Sequence, residues 1–501
     1  MSVPGEMALA SSFLSRMFGR SRSETSRASE NIHARSSRIV RAAVDAARTT
    51  DQNRRHWANA DGLGPNAALS SEIRRVVRER ARYEAANNSY ARGITRTFSG
   101  DVVGTGPRLQ MLTDNPALNS RIEAAFSAWS RAIGLGSILR TMHLGKVVDG
   151  EAFAKLTTNP GVGHPITLDV QPIEPEQVAS PLGLVPNRLE VDGIIFDGNS
   201  NPIEYRVLDV HPGDSASLVG ATKATSVPAA RMLHLFRVDR AGQRRGLSEI
   251  SSALPLFAQL RRYTLAVLAA AETAARFAGV LQTDSPAEGA DDVEPLDAIE
   301  LEANMLLTLP GGWKMGQVES EQPTTTYGEF KRELINEAAR CLGMPFGIAA
   351  ADSSKYNYAS GRLDHQGYWK TLHIERQALE AAVLDRILAE WLREARIALE
   401  LRGLVADSID VAHAWFWPGH EHVDPVKEAT AQATRLASHT TTLAAEYARQ
   451  GLDWEQSLRQ RSKELELMRE LGLSVAAPPA DKPDEDEDDD KVEEEEEADA
   501  A

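Results

Sequence analysis

The stretch HLFRVDRAGQRRGLSEI, residues 234–250, joins three kinds of structure. Leu233, Leu235 and Val238 anchor a short strand. A basic loop follows, carrying Arg237, Arg240, Arg244 and Arg245 with Gln243 among them. The chain then enters SEISSALPLFAQLRRYTLAVLAAAETAARFAGVL, a helical pattern of roughly 25–30 residues, about 40 Å long at 1.5 Å per residue. Guanidinium forks of this density suit phosphate, a carboxylate or a subunit contact. The surrounding sequence has to decide among them.

Upstream, SSEIRRVVRERARYEAANNSYARGITRTFS (residues 70–99) has helical spacing, with a break at Asn87–Asn88. A second helix covers Asn115–Ile133, with Ile122, Ala125, Phe126 and Trp129 on one stripe. From Glu151 to Leu235 short alternating runs are punctuated by Gly, Pro, Asn and Asp, which predicts a mainly antiparallel β region. DGNSNP, residues 197–202, is its clearest hairpin turn. Downstream, residues 281–300 are acidic and loop-like, and NMLLTLPGGWKMGQVES reads as a β segment with a Pro-Gly-Gly turn. Helices are expected over Tyr327–Leu342, Arg362–Leu401, Pro425–Gln450 and Asp453–Leu471. The loop GMPFGIAAADSSKYNYASG separates the first two. Residues 1–30 are rich in Ser and Arg and read as a mobile arm.

The 501 residues have room for two or three domains, and 42% hydrophobic with 25% charged content is that of a soluble protein. Cys341 is the one cysteine, so no intramolecular disulfide is possible and a reducing interior is expected. No secretory apolar core is seen near the N-terminus, and the most apolar stretch carries Glu272 and Arg276, which argues against a membrane span. Net charge is −17 and uneven. Residues 1–100 hold seventeen arginines and nine acids, residues 481–501 fourteen acids and two lysines, and residues 101–480 carry the remaining −13. Such a body does not wrap nucleic acid tightly.

Single motifs are weak. No phosphate-binding G-x-x-x-x-G-K-[ST] loop occurs, and GTG at residues 104–106 lacks a third glycine. His413, His420, His422 and Asp424 include metal-type ligands, but their separations are irregular; an aromatic strand leading to a helix capped by Asp424 with Pro425 first explains them as well. Cys341 sits in an amphipathic helix and reads as structural. Asp352, Asp364 and His365 are the only nuclease-like set, within residues that look like a loop feeding a helix. No cofactor, metal or catalytic residue is expected.

Taken in order, the pieces are specific. NNSYARGITRTFSGDVVGTG, HLGKVVDGEAF, the opening stretch, YTLAVLAAAETAARFAGVL, LTLPGG, YGEFKRELINEAARCLGMPFGIAAADSSKYNYASGRLDH and WFWPGHEHVDPVKEATA resemble the lambda family of phage portal proteins from Asn87 to about Leu473. Two departures stand out: Ala359 in NYASGR replaces a serine of the family, and GHEHVDP replaces a tryptophan-containing turn. The resemblance implies an α+β portal fold assembled as a ring, likened to a dodecamer. It would have a flexible basic arm (1–60), a mixed β/α wing (61–247), a stem helix (248–280), a small clip (281–326), a second stem helix (327–342) and a tunnel loop (343–361). A long helix and wing return (362–424), crown helices (425–475) and a disordered acidic tail (476–501) would follow.

It further implies a non-enzymatic channel at a capsid vertex, assembled in the host bacterial cytoplasm. The expected partners are double-stranded DNA, the terminase large subunit, the major capsid or scaffold protein and head-completion proteins, with no membrane. Arg237, Arg240, Gln243, Arg244 and Arg245 would then tie wing to stem or subunit to subunit. Asp352, Ser353, Ser354, Lys355, Tyr356, Asn357 and Tyr358 would line the tunnel. The rival readings are a metal-dependent DNA-processing enzyme and a capsid scaffold or adaptor without a channel.

Overall fold

The computed structural model describes residues 51, 54–181, 189–214, 223–275, 279–283, 313–317, 326–354, 357–399, 411–419 and 425–473. The chain divides into two units, Met1–Gly64 and Pro65–Ala501. Described residues of the first form turns and irregular backbone. Every described helix and strand belongs to the second. The acidic tail, most of the N-terminal arm, most of 281–326, and Lys355, Tyr356, His420, His422 and Asp424 lie outside the described residues.

Helix α1 (Ser71–Asn87) starts where the Ser70 hydroxyl accepts from the Ile73 N–H. Asn88 ends it and begins α2 (Ser89–Val103), its Oδ1 accepting from the Tyr90 and Ala91 N–H groups. The Asn88 Nδ2 also donates to the Phe257 carbonyl at 2.9 Å, so the predicted break fastens two distant segments. Helix α3 (Pro116–Ile133) buries Ile122, Phe126 and Trp129 of the predicted stripe together with Leu118, and leaves Ala125 half-buried. Left-handed Gly134 then turns the chain into α4 (Leu135–Asp149), which periodicity did not reveal. It buries Leu135, Leu139, Met142, Val147 and Val148 together with His143 and Lys146, so no clean polar face marks it.

Among the described residues all strand pairings are antiparallel. Strand β1 (Arg108–Met111) is followed by β2 (Glu151–Thr158), β3 (Leu168–Ile173), β4 (Glu190–Val191), β5 (Ile194–Phe196), β6 (Pro202–Leu208), β7 (Ala224–Pro228) and β8 (Met232–Phe236). β2 lies between β3 and β8, while β4 to β7 form a meander in which the predicted 197–202 turn joins β5 to β6. Because side chains alternate along β2, Ala152, Ala154 and Leu156 enter the main core while Phe153 enters a smaller one with Ile194, Tyr205 and Val207.

After β8 and its loop, a 3₁₀ turn (Ser251–Ala253) leads into α5 (Leu254–Ala275). The stretch 248–280, expected as one helix, is therefore shorter: Gly279 and Val280 belong to β9 (Gly279–Thr283), paired with β10 (Trp313–Gln317). Glycine disfavours helix and β-branched valine favours the ladder. Helix α6 (Tyr327–Ala339) packs beside α5 through Tyr263, Tyr327 and Phe330. The loop expected over 343–361 contains α7 (Phe346–Ala350), and α8 (Tyr358–Leu379) begins inside it. Asn357 and Ser360 form a reciprocal capping box, which starts the helix four residues before the expected Arg362.

A π-helical turn (Glu380–Leu384) carries α8 into α9 (Asp385–Ala398). Strand β11 (His413–Phe416) returns to β1, with Trp415 opposite Leu109. Trp415, Phe126, Trp129 and Trp391 form one aromatic cluster in the main core. The single helix expected over Pro425–Gln450 is two, α10 (Pro425–Ala437) and α11 (Leu443–Arg449), split at His439 with φ +54°. Helix α12 (Trp454–Glu470) is capped by Asp453.

Candidate functional site

The arginine loop is built around one amide. Gln243 is buried; its Oε1 accepts from the Asp239 and Arg240 N–H groups at 3.0 and 3.2 Å, and its Nε2 donates to the Arg237 and Arg245 carbonyls at 3.3 and 2.9 Å. Four bonds from a single side chain give a short polar loop one shape. Around that hub the arginines diverge. Arg237 and Arg240 lie on the surface, with Arg237 bonding Asp239 at 2.9 Å. Arg244 stacks on the Phe196 ring at 4.1 Å and donates to Ser200 at 3.1 Å. Arg245 turns inward.

Inward lies Glu151, fully buried at the start of β2. Arg245 grips it as a fork, Nε to Oε2 and Nη2 to Oε1, both at 2.8 Å. Arg74 and Arg78 donate to Oε1 at 3.1 and 3.2 Å, while the Gly246 N–H and His234 reach Oε2 at 3.1 and 3.2 Å. Arg74, Arg78 and Arg82 recur every fourth residue, so α1 presents them on one face. Arg82 completes the row with a fork on Asp149 at 2.7 and 2.9 Å. Two glycines permit the approach. A Cβ on Gly150 would fall 2.3 Å from the Leu247 carbonyl carbon, and one on Gly246 would fall 2.0 Å from the Gly150 oxygen.

Burial alone would raise the Glu151 pKa, but the Arg245 charge and the bonds from His234 and Arg245 outweigh it and hold the carboxyl well below its ordinary range. Burial lowers His234 against the pull of Glu151. Burial and the Arg245 charge bring Arg74 down to about 10, which leaves it charged at neutral pH. With six donors on two oxygens, Glu151 has no capacity left for proton transfer. The arrangement joins α1, β2, the β4–β5 turn and the segment entering α5, because Arg245 also donates to the carbonyls of Val178, Asp192 and Pro175.

A second ionic cluster sits one turn further on. Lys146, buried on α4, pairs with Glu249 at 2.8 Å and with Glu375 of α8. His143 lies between Glu375, at 3.2 Å, and the Ser99 hydroxyl, at 3.1 Å. Burial works against ionising Glu375, and the His143 bond with the Lys146 charge overcomes it and lowers its pKa. Glu249 also anchors through its own N–H to the Val147 carbonyl at 3.0 Å. The six residues Arg245–Ile250 are thus fixed at one end by Glu151 and at the other by Lys146, which in turn holds Glu375.

The remaining candidates disperse. Asp352 accepts from the Ser354 N–H at 3.0 Å, and its own N–H returns to the Gly347 carbonyl. Asp352, Asp364 and His365 do not come together as a ligand set. Asn357 is a helix cap and Tyr358 the first residue of α8, so the proposed tunnel segment ends two residues earlier than a loop reading gave it. His413 bonds the Val411 carbonyl and Asp385. Burial pushes the Cys341 thiol up to about 11, which leaves it unreactive. Among the described residues one group has metal-ligand spacing, Glu174, Glu176 and His211 within 4.8 Å, but Arg78 and Arg82 already bind its carboxylates at 3.2 and 3.3 Å.

Glu151 was the residue sequence reasoning missed. Its signal was present: two acids, Asp149 and Glu151, in the otherwise largely apolar run VVDGEAFAKL, with arginines at four-residue spacing upstream to receive them.

A family model described as phage portal protein, lambda family, matches residues 27–376 of the chain. A protein of Halomonas phage phiHAP-1 bearing the name probable portal protein is 23% identical over 447 residues, covering 83% of this chain and 85% of its own. Among solved structures, a chain in the neck of an empty gene transfer agent particle computed with C6 symmetry aligns at TM-score 0.46 with 15% identity, over 75% of this chain and 93% of its own. A chain in the virion of the native particle aligns at 0.45 with 14% identity, over 80% and 99%.

Proposed function

The chain belongs to the lambda family of phage portal proteins, and from that premise we propose that its copies close into a ring, a dodecamer in the capsid, at one vertex. Double-stranded DNA enters through the ring during packaging and leaves through it at infection. The terminase large subunit docks on it first and head-completion proteins later, with the major capsid or scaffold protein around it. In this reading 61–247 is the wing, 254–275 and 327–342 the stem, 281–326 the clip, 343–356 the tunnel loop and 425–475 the crown.

The observation that carries the reading is the extent of the family match, which contains the arginine loop, both buried carboxylates and α5. The charge supports a conduit over a DNA-gripping protein, since the −13 on residues 101–480 repels phosphate along the path. Arg244 and Arg245, with Gln243 shaping the loop, act as the wing–stem tie within one subunit, and Arg237 with Arg240 offers charge to the next. Asp352–Tyr358 borders the channel.

Negative-stain images of purified protein test the proposal. Rings with a central hole are expected; particles that never exceed a monomer contradict it. Plasmid incubated with the protein and Mg²⁺ or Mn²⁺ should stay intact, whereas cleavage favours the DNA-processing alternative.

A further inference from the structure

Residues 425–473 form α10, α11 and α12, and no described apolar side chain among them is buried. What is buried is ionic. Glu446, 2% exposed, accepts from Arg435 at 3.0 Å and from Arg449 at 3.1 Å, and Arg435 reaches on to Glu428 at 2.8 Å. The apolar residues are outside: Val426, Leu452, Leu458, Leu467, Leu471 and Leu473 are all exposed. A helix of this length is marginal in water unless an apolar face is packed. Helix α12 packs none of its residues to burial on its own chain.

Its pattern says what it fits. Leu467 and Leu471, the C-cap residue, stand one turn apart on one side of α12. Trp454, Leu458, Leu465 and Met468 recur at helical spacing on a second side, about 120° round the axis. The C-terminal half of the helix is thus apolar on two sides, as a helix between two others requires. Its charges balance: Glu455, Glu464, Glu466 and Glu470 are matched by Arg459, Arg461, Lys463 and Arg469, in a chain whose net charge is −17. A helix with no net charge is compatible with another copy of itself and poorly matched to DNA or to a strongly charged partner. The acidic stretch 481–501 has Val492 as its only large apolar residue, a poor composition for covering leucines.

We propose that α12 is a seam between neighbouring copies, the Leu467–Leu471 side of one meeting the Leu458–Leu465 side of the next. Residues 454–473 then acquire an apolar core only on assembly. Such contacts are heterologous and close on themselves around a rotation axis. The inference rests on the ring proposed above and adds where that ring couples order to closure.

Hydrogen exchange on the full-length protein, in unassembled and ring fractions separated by sedimentation, tests it. Amides of 454–470 should exchange at least about ten-fold more slowly in rings. The double variant L467E/L471E should either form rings in which that slowing is gone, or form none while the unassembled protein melts at an unchanged temperature. Equal exchange in both wild-type fractions overturns the proposal, as does full slowing in rings of the variant. A lowered melting temperature of the unassembled variant overturns it too, because the leucines are then covered within their own chain, by residues 1–50 or otherwise. Wild-type protein that forms no ring at any salt concentration contradicts the ring itself, and is told apart by needing no variant.

Discussion

At the scale of single residues, the chain depends on Glu151 and Glu375. Each is a buried carboxylate surrounded by cations, an arrangement that stabilises little relative to an apolar replacement yet is costly to break on one side. E151Q leaves Arg74, Arg78 and Arg245 sharing one neutral amide and should cost about 3–5 kcal/mol, read as a lower urea midpoint at unchanged slope. The same two groups set the acid limit. Both pKa values lie below the ordinary 4.5, so their contribution is complete above that pH and is lost as pH falls through the lower, folded values. A pH series of thermal melts should show this decline, and E375Q should make the acid arm shallower. G150A should yield no soluble protein, given the 2.3 Å approach to Leu247 and a φ of +92°.

Among elements, legibility followed exposure. Helices with one polar and one apolar side, α1 to α3 and α6, were visible in the periodicity, and Asn88 was visible as the break between two of them. Helix α4 was not, because Met142, His143, Lys146 and Val147 bury successive sides and leave no contrast to read. The start of α8 was missed for a different reason: Asn357, Tyr358, Ala359 and Ser360 look like loop composition, and only the reciprocal Asn357–Ser360 bonds show them as a cap. The Glu151 junction went unread because its partners lie 77, 73 and 94 residues away in sequence. N88A removes the cap of α2 together with its tie to Phe257 and should cost about 1–2 kcal/mol in chemical denaturation.

For the molecule as a whole, burial divides the arginine loop: Arg245 is buried, while Arg237 and Arg240 are exposed. Charge reversal at Arg245 would unfold the subunit and say nothing of assembly, since that side chain is buried on Glu151. R237E/R240E is the informative change: both residues are exposed and surface ion pairs such as Arg237–Asp239 contribute little, so the monomer's melting temperature should fall only slightly while ring yield falls several-fold on a sizing column. In the proposed ring, identical copies enclose an open bore at a capsid vertex. Cryo-electron microscopy of the purified full-length protein tests it most directly. Class averages viewed down the axis should show closed rings of about twelve copies with an empty centre lined by acidic and neutral side chains. A population confined to monomers or dimers, or rings whose centre is filled by protein, would contradict it.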